Sequence, residues 1–184
     1  MLRRLDFLAL TDLTRPLFDS LARRPNHLPF GPSPERERGR YSVEDAFRTR
    51  LALDLAEAGC RQEDASIFVR HQYADVFARR AELSDESKDL FFGFARLAPS
   101  AEIDAETGRE VIVTSTYPLF GTAAEVAAQQ ARWIATARSS GGSVLSMVAC
   151  NASECCRAML RRAARTGVDR KPLDAYFAQS EDVR

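Results

Sequence analysis

The sequence is short of the residues that most site chemistry needs. It has two histidines, His27 and His71, and four cysteines, Cys60, Cys150, Cys155 and Cys156, none of them in a C-x-x-C pair. A tetrahedral zinc site needs four ligands at workable spacing. No such set is evident, so no metal is expected and the thiols read as buried or idle groups in a reducing compartment. There is no Gly-x-Ser-x-Gly elbow, no Walker A pattern and no Rossmann glycine fingerprint. The motifs for acyl transfer, nucleotide hydrolysis and hydride transfer are thus missing, and neither an enzyme nor a cofactor is expected. No apolar run approaches the roughly 18 residues that cross a bilayer. The run Phe7–Leu10, behind a basic start, is far too short for a secretory signal. These absences predict a soluble, cytoplasmic protein with no membrane partner.

Net charge is also lacking, since 26 basic residues balance 26 acidic ones. A chain that binds nucleic acid along its whole length is not indicated. The charge is unevenly spread, however. Residues 1–40 hold eight arginines against five acids, and residues 41–85 hold six basic residues against nine acidic ones. A cationic patch confined to the N-terminal region is therefore expected.

What is present divides the chain of 184 residues into a helical domain, residues 1–80, a polar connector, 81–88, and a small α+β domain, 89–184. In the first, Leu5–Leu10 reads as a short helix and Thr11–Thr14 as a turn. Thr14 is a good N-cap, and Pro16 falls in the first turn of the next helix, where its missing N–H does no harm. Leu17, Phe18 and Leu21 give that helix an apolar face, and Pro25 closes it. Three prolines and a glycine between His27 and Pro34 exclude regular helix there. Residues 28–41 read as a small hairpin or loop, with Gly39 as its turn residue. Ser42 and Asp45 approximate a capping box. Val43, Ala46, Phe47, Leu51, Leu55 and Ala58 then recur at helical spacing up to Gly59, an apt C-terminal residue. A further helix is expected over Gln62–Ala78.

The rest of the chain changes period. Leu90–Leu97 and Glu110–Tyr117 read as strands joined by a turn at Asp104–Gly108. Thr122 and Glu125 cap a helix that runs to Arg138. Ser143–Ala149 is a third strand after Gly141-Gly142, and Asn151 or Ser153 caps a helix that ends at Gly167. The order β-β-α-β-α predicts an α+β fold with a three-stranded sheet. Trp133 and Ile134 are expected in the core. Phe91, Phe92 and Phe94 are expected inside the sheet, one face of which is a candidate partner surface.

Residues 5–70 resemble the winged helix-turn-helix of the mercury-resistance regulator (MerR) family. The resemblance is carried by Leu13-Thr14-Arg15, Arg23-Arg24, Leu28-Pro29, Gly39-Arg40-Tyr41-Ser42-Val43-Glu44-Asp45 and Leu55-Ala56-Glu57-Ala58-Gly59. It implies a recognition helix in the major groove and a basic wing on the flanking backbone. Its DNA-contacting residues would be Thr14, Arg15, Ser20, Arg23, Arg24, Arg36, Arg38, Arg40 and Tyr41. Arginine forks suit phosphate oxygens.

The sequence departs from the family where Pro16, Asp19 and Ser20 occupy the recognition helix and where Glu35 and Glu37 dilute the wing. It also lacks the long C-terminal dimerisation helix, so the family's dimer mode is not carried over. The reading is a bacterial or phage transcriptional regulator that binds double-stranded DNA. Its C-terminal domain would self-associate as a homodimer, bind an effector or contact a protein partner. The alternative is a protein-interaction adaptor whose winged helix presents a protein-binding surface. Each arginine also has a plainer reading: Arg36, Arg38 and Arg40 as partners of Glu35 and Glu37, Arg15 and Arg23 as partners of Asp12 and Asp19, and the helical face Arg157, Arg161, Arg162 and Arg165 as solvated surface.

Overall fold

Local signals set the first elements in this computed structural model, which describes residues 1–98, 102–103, 106, 110–111, 114–139 and 141–179. A short strand, β1 (Leu2–Arg3), leads into α1 (Arg4–Thr11). Asp12 then takes the left-handed conformation, φ 60°, and its N–H closes the helix on the Leu8 carbonyl. Thr14 Oγ1 accepts from the Leu17 N–H at 3.4 Å, and α2 (Arg15–Arg23) follows with Pro16 in its first turn. Phe18 and Leu21 are the buried face of α2. The order is thus helix, three-residue turn, helix.

The segment 28–41, expected as a small hairpin or loop, is a loop that contains a helical turn. Ser33 caps a single helical turn, α3 (Pro34–Glu37), by accepting from the Arg36 N–H. Gly39 turns the chain at φ 72°, and β2 (Arg40–Tyr41) pairs back on β1, Leu2 opposite Tyr41 and Arg3 opposite Arg40. The local reason is that Ser-Pro-Glu is itself a helix start: a cap, a proline where no donor is needed, and an acid at the positive end of the dipole.

The capping box of α4 (Val43–Glu57) forms as expected, with Asp45 N–H to Ser42 Oγ at 2.9 Å and Ser42 N–H to Asp45 Oδ2 at 3.0 Å. Gly59 follows it at φ 104°. The next helix is interrupted, as α5 (Gln62–Gln72) and α6 (Ala74–Ala78), where Tyr73 turns its buried ring to Phe47 at 6.2 Å between centroids.

The sheet has β3 (Leu90–Ala98) at its centre, with β6 (Ser115–Thr122) on one side and β7 (Ser143–Asn151) on the other, all antiparallel. Two short strands, β4 (Glu102–Ile103) and β5 (Glu110–Val111), pair between β3 and β6. Of the expected turn at 104–108, only Glu106 lies within the described residues. Of the strand expected over Glu110–Tyr117, Glu110–Val111 and Ser115–Tyr117 are strand, and residues 112–113 lie outside the described residues. Gly93 lets β3 and β7 approach, since a Cβ there would lie 2.0 Å from the Val148 carbonyl oxygen.

One face of the sheet is covered by α7 (Ala123–Ser139) through Ala95, Leu97, Leu119, Val126 and Ala137, with Tyr117, Trp133 and Met147 partly buried around them. The Thr122–Glu125 box caps α7. The other face, Phe92 and Phe94, packs on Phe68 of α5 at 5.1 and 4.7 Å between ring centroids. Asn151 caps α8 (Ala152–Thr166) by accepting from Glu154 N–H at 2.9 Å, and Gly167 closes it at φ 71°. A last helix, α9 (Lys171–Phe177), packs Phe177 on Phe47. One buried cluster runs from Leu2, Phe7 and Leu10 through Phe47, Phe68 and Phe92 to Met159 and Phe177. The helical segment and the sheet segment thus share a core across the stretch 81–88.

Candidate nucleic-acid interface

The solvent side of α2 is built by two constraints. Phe18 and Leu21 must point to the core, where Phe18 meets Phe7 at 5.5 Å between centroids. Helical geometry then turns Arg15, Ser20 and Arg23 outward. Arg15, Pro16, Asp19, Ser20, Arg23 and Arg24 line one open, shallow groove, and Arg15, Arg23 and Arg24 are exposed. Thr14, spent on the cap, sits at its edge.

Asp19, the acid in this face, is neutralised. Arg4 binds it from α1, and Arg15 Nε lies 3.9 Å from Oδ2. Arg23 and Arg24 have no ion-pair partner among the described residues. Pairing of Arg15 or Arg23 with Asp12 does not occur, because Asp12 Oδ2 accepts from Arg162 of α8 at 3.0 Å.

Beyond α2, the residues expected on the wing divide. Arg38 and Arg40 are exposed and are unpaired with Glu35 or Glu37. Arg36 turns inward. Its Nε and Nη2 donate to the two oxygens of Asp45 at 3.2 and 2.8 Å, its Nη1 donates to the Gly31 carbonyl at 2.7 Å, and its guanidinium lies over the Phe30 ring. Tyr41 is only 5% exposed and packs against Phe7, Phe18 and Phe30. Burial raises its pKa above the usual phenol value, with Arg4 opposing. Arg36 and Tyr41 are thus the root of the loop rather than surface donors, because the Asp45 carboxylate and the aromatic cluster outcompete solvent for them. Between α2 and this loop lies a crevice of about 420 Å³, lined by Phe18, Leu21, Leu28, Phe30 and Tyr41 together with Arg24 and Arg70.

Three further arginines hold this region: Arg4 and Arg50, which the sequence reading did not single out, and Arg162, expected as solvated surface but with its side chain only 17% exposed. Arg4 neutralises Asp19. Arg50, buried in α4, donates to the Thr11 carbonyl at the end of α1 and to Asp54 and Glu57. Burial works against its charge, but the Asp54 and Glu57 bonds raise its pKa above the arginine norm. Arg162 holds Asp12. Of these roles only that of Arg50 left a trace in the sequence: it lies seven residues after Val43, on the stripe that the apolar positions define.

The remaining candidates are occupied. Arg157 is bound to Asp89 and Glu154, and Arg161 to Glu154, so the basic face of α8 is mostly paired surface. Cys155 Sγ donates to Asp54 at 2.6 Å. A bond with Cys150, then burial, hold its pKa well above the thiol norm, and burial lifts Cys156 to about 12. Thiols held protonated are poor nucleophiles and poor ligands. Among the described residues no cluster of His, Cys, Asp and Glu is placed to hold a metal ion, and no helix is long and apolar enough to cross a membrane. Comparison with protein-family models, with curated proteins and with solved structures gives no match.

Proposed function

We propose that the chain is a cytoplasmic DNA-binding transcriptional regulator of bacterial or phage type, with α2 as the recognition helix in the major groove. One observation carries the reading. α2 and its C-cap present Arg15, Ser20, Arg23 and Arg24 in an open groove, its acid is neutralised by Arg4, and among the described residues no other element lines that groove. Such a face has a net positive field, with fork donors at Arg15 and, two turns on, at Arg23 and Arg24, which suits phosphates and base edges. Arg38 and Arg40 lie beyond it as backbone contacts. The winged helix-turn-helix likeness rests on the same segment. The sheet segment is assigned to self-association.

A second reading has one specific observation in its favour. Leu17 is 48% exposed on α2, as a protein-docking surface would need. Salt separates the two, because contacts to phosphates weaken steeply as salt rises. Anisotropy of labelled duplex DNA at two salt concentrations is the test. Binding that falls sharply with salt supports the regulator, and no binding at low salt leaves the adaptor.

A further inference from the structure

The two edges of the sheet are not alike. β6 carries Pro118 within its length, and proline on an edge strand guards it against pairing. β7 reads Ser-Val-Leu-Ser-Met-Val-Ala-Cys-Asn, with no charge, proline or glycine over nine residues in a chain that is 28% charged. Among the described residues no strand pairs with its outer side. Leu145 is 51% exposed. It is the extra residue at a bulge, since Arg96 is opposite Ser146 while Leu97 is opposite Val144. The bulge bends the strand there and limits regular pairing to the part after it, from Ser146 onward.

We propose that this outer edge of β7 pairs antiparallel with the β7 of a second copy, joining two sheets into one of six strands. The assignment rests on the self-association reading above and names its surface. An uncharged edge needs an uncharged partner edge, and a second copy supplies one. A two-fold axis uses the same patch twice and leaves neither copy's β7 open. Centred on Val148, the pairing sets Met147 against Ala149 and Ser146 against Cys150, with no charge on either side.

Arg96 supplies a matched test. It lies between Ser146 on β7 and Thr116 on β6 in the strand registers, and both are exposed. A glutamate at either exposed place faces Arg96 within its own chain, beside the Asp64 carboxylate that Arg96 binds at 2.9 Å, so the two variants meet the same charges inside the fold. Only Ser146→Glu also places a carboxylate in the proposed seam, at two places related by the axis, each against the uncharged Cys150 of the second copy with no cation to pair it. Sedimentation equilibrium of the full chain without DNA is expected to give twice the chain mass of 20.5 kDa for the wild type and for Thr116→Glu. For Ser146→Glu it gives the chain mass alone, with an unchanged melting temperature. A monomeric wild type, or a dimeric Ser146→Glu, overturns the proposal. Because DNA is absent, failure here is distinct from failure of the DNA-binding reading, which the anisotropy measurement decides alone.

Discussion

The inward turn of Arg36 makes a separable prediction. The sequence groups Arg36 with Arg38 and Arg40, whereas the structure makes Arg36 a brace and leaves the other two in solvent. Arg36→Ala removes two bonds to Asp45 and one to Gly31, with the side chains of Arg36 and Asp45 only 27% and 8% exposed. Asp45 keeps its bond from the Ser42 N–H, so the carboxylate is half-satisfied rather than orphaned. A charge-assisted bond of this kind contributes about 1.5–3 kcal/mol, and the stacking on Phe30 adds about 0.5–1 kcal/mol. A loss of about 2–4 kcal/mol in a chain this long lowers the melting temperature by about 4–16 °C. Arg38→Ala with Arg40→Ala removes exposed side chains and leaves the melting temperature within the usual surface range of about ±0.5 kcal/mol. Its effect is on DNA: two fewer phosphate contacts flatten the log–log salt slope by about 2. Calorimetry and anisotropy on both variants give the comparison. If Arg36→Ala melts with the wild type and the double variant melts early, the division of the loop into root and surface is wrong.

Two further outcomes follow from other parts of the fold. Gly93→Ala places a Cβ 2.0 Å from the Val148 carbonyl, an overlap with backbone that overpacking costs of about 1–3 kcal/mol understate; a variant with wild-type stability by urea titration would contradict the close β3–β7 approach. Glu82, held below its ordinary value of 4.5 chiefly by Arg79, and Glu125, held down chiefly by the Thr122 N–H, have depressed folded pKa values. Their contribution is present above the unfolded value and is lost as pH falls through the folded one. The urea midpoint is therefore expected to drop below about pH 4.5, the unfolded carboxylate range. Glu82→Gln should soften that drop, and an unaltered acid limb would remove Glu82 from the account.

How much of this was legible in the sequence depends on the range of each interaction. The caps at Thr14, Ser42, Thr122 and Asn151 involve residues three apart, so they were readable, and with them the starts of four helices and the β-β-α-β-α order. The single helical turn at Pro34 was equally local, but its prolines were weighed as loop signals rather than as a helix start. Packing at the root of the loop is one of two readings that Tyr41 allows in the sequence, but the inward turn of Arg36 and the ring partners of Tyr41 are not readable there. They depend on where Asp45 and Phe7 lie in space, nine and 34 positions away. Arg4 and Arg162 likewise act between elements, 15 and 150 positions from Asp19 and Asp12, from α1 and α8 onto α2 and its turn. The short α9 was missed because its seven residues carry too few turns to show a period.

The central claim is that the exposed face of α2 binds duplex DNA. Its most direct test is anisotropy of random and genomic duplexes with the full chain, wild type and Arg23→Ala with Arg24→Ala, at two salt concentrations. The account predicts binding by the wild type that weakens steeply with salt, and a weaker, flatter dependence for the double variant at unchanged melting temperature. Equal binding by both proteins, or none by the wild type at low salt, would contradict it.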